Sequence, residues 1–277
     1  MELQQNAKEF EKIGLKVVGL SYDSPAILKN FAERKGIAFP LLSDPDSKVI
    51  RELGILNEDV PKDNVFFGIP HPGTFILDKA GAVSAKYFEE DYKQRYTAAD
   101  ILVQRFGIVP EARKTEVAGK QLNATVSASN YIVRPGQRVA LVLDLQLKPG
   151  MHVYAPGVQG YIPIDWKMKE ADVAAAHPTV FPKPEILYLK AIEERVPVFK
   201  DHVRLTRDVT LGADAKLKAA AGADGQFTVE GTLRYQACDD RMCYIPQELP
   251  LKWTFQYEGF DRTRVPVELQ RPAKAVQ

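Results

Sequence analysis

LRYQACDDRMCYIPQELPLKWTF, Leu233 to Phe255, holds both cysteines of this 277-residue chain, Cys238 and Cys243. Four residues separate them, and both flanks have the look of strands. Two cysteines this close do not make a disulfide-dense scaffold. They permit one disulfide, half of a metal site or two unrelated thiols. A tight loop can bring the sulfurs to bonding distance, although spacing alone does not fix the geometry. A bridge across so short a loop adds little stability by chain entropy, so it suits reversible chemistry better than stapling. Short cross-links between strand ends can also be strained, which raises the reduction potential. Asp239 and Asp240 disfavour a thiolate at Cys238, and Arg241 favours one near Cys243. Cys243 is therefore nominated as the attacking or attacked sulfur.

The same alternation extends upstream. LNATVSASNYIV (122–133), QRVALVLDLQLK (137–148), HVYAPG (152–157), IPIDWKM (162–168), DHVRLTRDVTL (201–211), GQFTVEGTLRYQAC (225–238) and ELPLKWTFQY (248–257) read as strands. Turns such as RPGQ, KPGM and ADGQ separate them. Seven or so short strands with that punctuation predict an antiparallel β-sandwich. Structural bridges in such sandwiches usually link strands far apart in sequence, which a four-residue spacer cannot do. A zinc site wants about four ligands, and His152, His177 and His202 follow no ligand spacing.

Residues 1–107 alternate strand and helix instead. LKVVGLS (15–21) reads as a buried parallel strand. A helix follows, with Ser24 as N-cap, Pro25 in its first turn and Gly36 as its stop. FPLLSD (39–44) is a second strand, and DPDSKVIRELG a second helix started by Asp44 or Asp46. TFILD and AVSAKYF form a hairpin about Asp78 to Gly81, and TAADILVQRFG (97–107) is a terminal helix with Ile101, Leu102 and Phe106 inward. That order is most of a thioredoxin-type fold. The expected architecture is two-domain, an incomplete α/β thioredoxin-like domain followed by an all-β immunoglobulin-like sandwich. The expected boundaries are 1–107, a linker at 108–120, the sandwich at 121–260 and a tail at 261–277 whose last stretch, RPAKAVQ, is frayed.

A net charge of +1 supplies no global field to recruit nucleic acid or anionic lipid. No apolar run approaches the roughly 18 residues that span a bilayer, so no membrane insertion is expected. MELQQNAKEFEKIGLKVV is charged and helical in pattern, with no apolar signal segment, and taken literally reads as cytoplasmic.

Two resemblances add to this reading. VVGLSYDSPAILKNFAERKGIAFPLLSDPDSKVIRELGI (17–55) with GIPHPGTFILDKAGAV (68–83) resembles the redoxin superfamily in its peroxiredoxin-like (alkyl hydroperoxide reductase/thiol-specific antioxidant) branch, over roughly residues 1–105. In that family the reactive cysteine lies just before the helix that precedes the GLSYDS strand. Residues 1–106 contain no cysteine, and a peroxidase of this class needs a thiolate. Either the natural protein carries more residues upstream, which would also account for the missing signal segment, or this is a degenerate redoxin domain kept as a scaffold. A sheet short of strands would show a raw edge or an exposed apolar face. Thioredoxin-type folds often place a cis-proline beside the reactive sulfur. Pro70 and Pro72 around His71 therefore read either as a groove wall or as a stiffened loop entering the strand. His71 alone reads as a surface or capping residue.

PGMHVYAPGVQGY (149–161), VPVFKDHVRLTRDV (196–209) and YQACDDRMCYIP (235–246), in that order, resemble the N-terminal periplasmic domain of the thiol–disulfide interchange protein DsbD, over about 115–258. The resemblance implies an immunoglobulin-like sandwich with a reversible disulfide, Cys238–Cys243, in which Cys243 forms the mixed disulfide. It implies partners among other thioredoxin-like thiol–disulfide proteins, no cofactor and no metal, and an extracytoplasmic, periplasmic location. Phe199 falls where that family has an aromatic cap over the disulfide; otherwise it is a core aromatic. Tyr154 lines the site or packs in the sandwich, and Tyr235 and Tyr244 flank the cysteines and shield them. Three functions compete: a redox carrier, a peroxidase if an upstream cysteine exists, and a non-catalytic binding protein with a structural bridge.

Overall fold

The computed structural model describes residues 2–89, 91–110, 113–189 and 193–270. In the N-terminal region the helix punctuation works as the residue types require. Ser24 Oγ accepts from Ile27 N, Pro25 opens the first turn, and Gly36 takes the left-handed conformation (φ 62°) that ends α2 (Pro25–Lys35). α1 (Glu2–Lys12) precedes it. β1 (Gly19–Ser21) and β2 (Leu41–Ser43) pair in parallel. The N-cap position of α3 (Lys48–Glu52) is Ser47, but the Asp44 carboxylate supplies the capping bonds, accepting from Lys48 N and Ile50 N at 2.9 Å each. β3 (Gly73–Leu77) and β4 (Val83–Phe88) form the expected hairpin, closed by Asp78 Oδ1 accepting from Ala80 N and Ala82 N.

The parallel strand expected over residues 15–21 is only three residues long. Among the described residues β1 and β2 pair only with each other, and β3 and β4 form a separate sheet. A two-stranded parallel pair has little apolar cover, and Val18 and Leu42 are 52% and 51% exposed. No described peptide bond is cis, so Pro70 and Pro72 build no cis-proline wall. Their loop is tied to the segment after α3, with Leu56 bridging Pro70 and His71 N donating to Ile55 O.

Two compact units divide the described chain. One holds the residues up to Ala98 and those from Phe260 on; the other runs from Ala99 to Gly259. Residues 261–270 are thus no free tail. Asp261 pairs with Arg34 at 2.9 Å and with Lys35. Hydrogen bonding from Lys35, and then from Thr263, holds its carboxyl well below the ordinary range. RPAKAVQ lies outside the described residues.

β5 (Arg95–Tyr96) is followed by α4 (Ala98–Phe106). This helix was expected to close the first domain, yet nearly all of it belongs to the second unit. The reason is burial. β9 (Gln137–Leu147) is apolar on both faces, and Val103 of α4 covers its Ala140 and Val142. Residues 115–118, placed in the linker by sequence, form β6 (Thr115–Ala118) and pair with β7 (Leu122–Ala128).

β8 (Ile132–Val133), β10 (His152–Tyr154), β11 (Asp165–Met168), β12 (Ala174–Val180), β13 (Glu185–Leu189), β14 (Glu194–Lys200), β15 (His202–Leu211), α5 (Asp214–Ala220), β16 (Gln226–Tyr235), β17 (Ala237–Cys238) and β18 (Gln247–Tyr257) complete the unit. One sheet runs β12-β15-β9-β7-β6, a second β11-β16-β18-β8 and a third β13-β14-β10-β17. All their pairings are antiparallel except β8 with β18. A core including Leu143, Trp166, Leu205, Leu233, Trp253 and Phe255 joins the sheets. The sequence pattern missed β12, β13 and β14. β12 is an edge strand whose register shifts between Ala176 and Thr179, around His177 and Pro178, and proline in a sheet is confined to edges and bulges.

Candidate redox site

β10 is three residues long and sits between β14 and β17. Strand alternation sends Val153 into the main core and leaves His152 and Tyr154 together on the other face. Register sets His152 opposite Cys238 on one side and Lys200 on the other, with Tyr154 opposite Val198.

Beyond β17 the chain turns back on itself. Cys238 and Cys243 face each other in an antiparallel bridge. Ala237 O accepts from Tyr244 N at 2.9 Å, and Met242 O accepts from Asp239 N at 3.0 Å. Directly opposed residues in a non-hydrogen-bonded antiparallel pair lie about 4.5 Å apart at Cα, so the backbone itself brings these two together. The sulfurs are joined, with an S–S distance of 2.06 Å and a Cα separation of 4.0 Å. As a disulfide, neither sulfur is free to act as a thiolate metal ligand.

The two sulfurs have different surroundings. Cys238 is 1% exposed and packs with Tyr154, Val196 and Val198, whereas Cys243 is exposed. Asp239 builds the turn between them. Its Oδ1 accepts from Arg241 N and Met242 N at 2.8 Å each, and its Oδ2 accepts from Tyr244 Oη at 2.8 Å. Those backbone bonds, with the tyrosine bond behind them, hold the Asp239 carboxyl below its ordinary value. A depressed carboxyl stabilises the loop above the free value of 3.8 and loses that effect as pH falls through the lower folded value. Asp239→Ala should therefore strip hydrogen-exchange protection from the Arg241 and Met242 amides at neutral pH; unchanged protection in the variant would refute this role for the carboxylate.

Tyr154 is 2% exposed, and its Oη lies 3.8 Å from Cys243 Sγ. Its ring stacks on Tyr161 (centroids 4.3 Å apart) and meets His152 edge-on (5.6 Å). Tyr161 Oη donates to Glu194 Oε2 at 2.5 Å, and chiefly for that reason its hydroxyl is pushed up to about 12. Burial, followed by Glu194, raises Tyr154 as well. Burial, and then Lys200, lowers His152, with Asp240 and Asp239 opposing.

Of the six residues singled out by sequence, the structure groups Cys238, Cys243 and Tyr154, with Tyr244 attached through Asp239. Phe199 does not cap the disulfide. It pairs with Val153, so alternation turns it into the main core, where it is 4% exposed and parallel to Phe181. Tyr235 does not shield the cysteines either; it belongs to the same core and is fully buried there. His152 was weighed only as a metal ligand, although its position two residues before Tyr154 was the available signal for a shared face. Tyr161 and Glu194 carried no comparable local signal.

The chain matches two families of thiol redox proteins in tandem. Residues 1–86 match the model of the AhpC/TSA family, and residues 120–252 match that of the thiol:disulfide interchange protein DsbD, N-terminal. In the first region the chain is 34% identical over 91 residues to peroxiredoxin Bcp of Escherichia coli (strain K12), covering 33% of this chain and 56% of that protein. It is 40% identical over 80 residues to chloroplastic peroxiredoxin Q of Populus jackii, covering 29% and 35%. The chain spans about half the length, or less, of these curated relatives. Among solved structures, the N-terminal periplasmic domain of ScsB from Proteus mirabilis aligns with 51% of each chain at 14% identity and a TM-score of 0.36. The reduced DsbD N-terminal domain of Neisseria meningitidis aligns with 42% of this chain and 80% of its own at 18% identity and a TM-score of 0.27. At those scores neither likeness carries an argument.

Proposed function

We propose that this protein is a thiol–disulfide exchange carrier working through Cys238–Cys243, in a chain that joins a redoxin-like domain to a DsbD-like sandwich. The observation that carries this reading is the asymmetry of the pair: an exposed Cys243 bonded to a buried Cys238 at the tip of a hairpin. A partner thiolate attacks Cys243, the only sulfur of the two open to it. The Cys238–Cys243 bond breaks, Cys238 leaves with the electron pair, and a mixed disulfide joins Cys243 to the partner. A second thiolate on the partner then releases the reduced carrier. No step calls for a metal or organic cofactor.

Met242 and Ile245 are 56% and 81% exposed on either side of Cys243, which gives a docking partner apolar surface to cover. The partner we infer is a thioredoxin-like thiol protein, and within residues 1–237 no cysteine is present to take its place. The same absence leaves the redoxin-like region as it stands without a nucleophile for peroxide. An extracytoplasmic location suits the DsbD-like match and the oxidising environment in which disulfides persist.

Equilibration against glutathione tests the reading. The pair should titrate reversibly within the range of exchanging redox proteins. A potential below about −300 mV would identify a structural bridge and end the carrier assignment.

A further inference from the structure

Exchange at Cys243 leaves a chemical problem at Cys238. Whenever Cys243 is held in a mixed disulfide, Cys238 becomes a sulfur with a lone charge or proton in a nearly water-free site. A thiolate there lacks solvation. Resolving the mixed disulfide by closing the intramolecular bond nevertheless requires Cys238 to lose its proton.

The structure assigns that proton to His152: we propose that its imidazole takes the Cys238 proton during ring closure and, in the reverse step, returns a proton to Cys238 as the bond opens. This rests on the carrier reading above and adds a residue to it. Three observations support it. First, His152 and Cys238 are direct register partners on adjacent antiparallel strands, a placement that brings Cβ atoms to about 4.5–5.5 Å on one face. Secondly, His152 is 3% exposed, and its Nε2 is buried with no hydrogen-bond partner among the described residues. An orphaned buried nitrogen bears its desolvation penalty without a compensating bond, and such a group calls for an explanation. A thiol that exists only in the reduced and mixed-disulfide states gives one, because it has a proton to share and the disulfide does not. Thirdly, the same imidazole meets the Tyr154 ring edge-on, and Tyr154 reaches Cys243 Sγ. The site therefore has one polar side chain beside each sulfur.

The groups facing His152 favour a neutral ring before the reaction. Lys200 stands opposite on β14, Tyr154 is on its own strand, Cys238 is on β17, and Asp239 and Asp240 are in the loop beyond. Burial and Lys200 lower the imidazole, against the two aspartates. A neutral imidazole is the form that accepts a proton.

In the closing step the Cys238 thiol gives its proton to the imidazole. Cys238 Sγ attacks Cys243 Sγ, the Cys238–Cys243 bond forms, and the bond from Cys243 to the partner sulfur breaks. The partner sulfur leaves with the electron pair as a thiolate. The cysteine pair is oxidised, the partner disulfide is reduced, and His152 passes its proton to solvent as the site reopens.

The reduced full chain, mixed with the aromatic disulfide 5,5′-dithiobis(2-nitrobenzoate), reports both steps by the absorbance of the released thiolate. The first phase depends on reagent concentration and reports attack by Cys243. The second does not, and reports closure by Cys238. In His152→Phe, which keeps a ring against Tyr154, the second phase should slow at neutral pH by about tenfold or more, with its pH profile displaced to alkaline values. The first phase should be unchanged. His152→Gln, which can hydrogen-bond but cannot take a proton at neutral pH, should lose the second phase equally. An unchanged second phase and pH profile in both variants would overturn the assignment to His152. Equal slowing of both phases without a displaced profile would reduce the residue to a structural role and overturn it too. A wild-type protein with no first phase refutes the carrier reading itself, and this inference with it.

Discussion

Cys238→Ser should accumulate as a stable mixed disulfide through Cys243, whereas Cys243→Ser should be nearly inert while folded. The contrast follows from exposure. Cys243 is open at the hairpin tip, and Cys238 lies 1% exposed beneath it. For a thiol reagent to reach Cys238, the bridge between β10 and β17 must open. A local opening free energy of about 3 kcal/mol lies within the span seen for sub-global unfolding and corresponds to a slowing of about a hundredfold. Reaction of each reduced variant with an aromatic disulfide, followed by absorbance, measures the ratio directly. In denaturant the two rates should converge, which separates access from intrinsic reactivity. Equal rates in the folded state, or a faster Cys238, would contradict the proposed direction of attack. On the proposed reading the arrangement also restricts which chemistry is accessible: mixed disulfides form on the exposed sulfur, and the buried one serves as the resolving thiol.

The second large effect concerns the sandwich that holds this hairpin. Trp253 on β18 is 3% exposed, stacks on Trp166 of β11 at 5.4 Å, and donates from Nε1 to Ser127 O of β7 at 2.8 Å. One side chain thus fills the core and hydrogen-bonds from the second sheet to the first. Trp253→Ala should cost about 3–5 kcal/mol through the lost apolar burial and the cavity left behind, a large share of a domain stability of about 5–15 kcal/mol. Loss of the Trp253 Nε1 bond to Ser127 O adds to the penalty. Trp253→Phe keeps an aromatic ring and loses the donor, so it should fall between the two. Urea unfolding followed by far-ultraviolet circular dichroism compares the three proteins. A loss below about 1 kcal/mol for the alanine variant, a size common among ordinary substitutions, would show that the two sheets do not depend on this residue.

Where elements are local, the residues alone specify them. Ser24, Pro25 and Gly36 bound α2, Asp78 closes the β3–β4 hairpin, and the alternation around Phe227 to Tyr235 and Leu249 to Phe255 gives β16 and β18. β12 was not legible because Pro178 and three consecutive alanines erase its alternation, and only pairing with β15 makes it a strand. α4 was legible as a helix but not as part of the second unit. Its own sequence says that one face is apolar, and only the two-faced burial of β9 says what that face covers.

The candidate site divides in the same way. Four residues between Cys238 and Cys243 made a joined pair available, and the charges between them nominated Cys243. Neither feature could determine burial, which depends on β10 and β14 lying beside β17. Phe199 and Tyr235 were candidates because they stand near the site in sequence. Strand parity removes both, since a shift of one residue reverses the face a side chain occupies. Parity also brings His152 beside Cys238, from a segment 86 residues away. The sequence by itself determined that two sulfurs could join on a strand-flanked turn. The tertiary structure decided which sulfur is exposed and what stands behind the other, because register and burial arise only when distant strands pair.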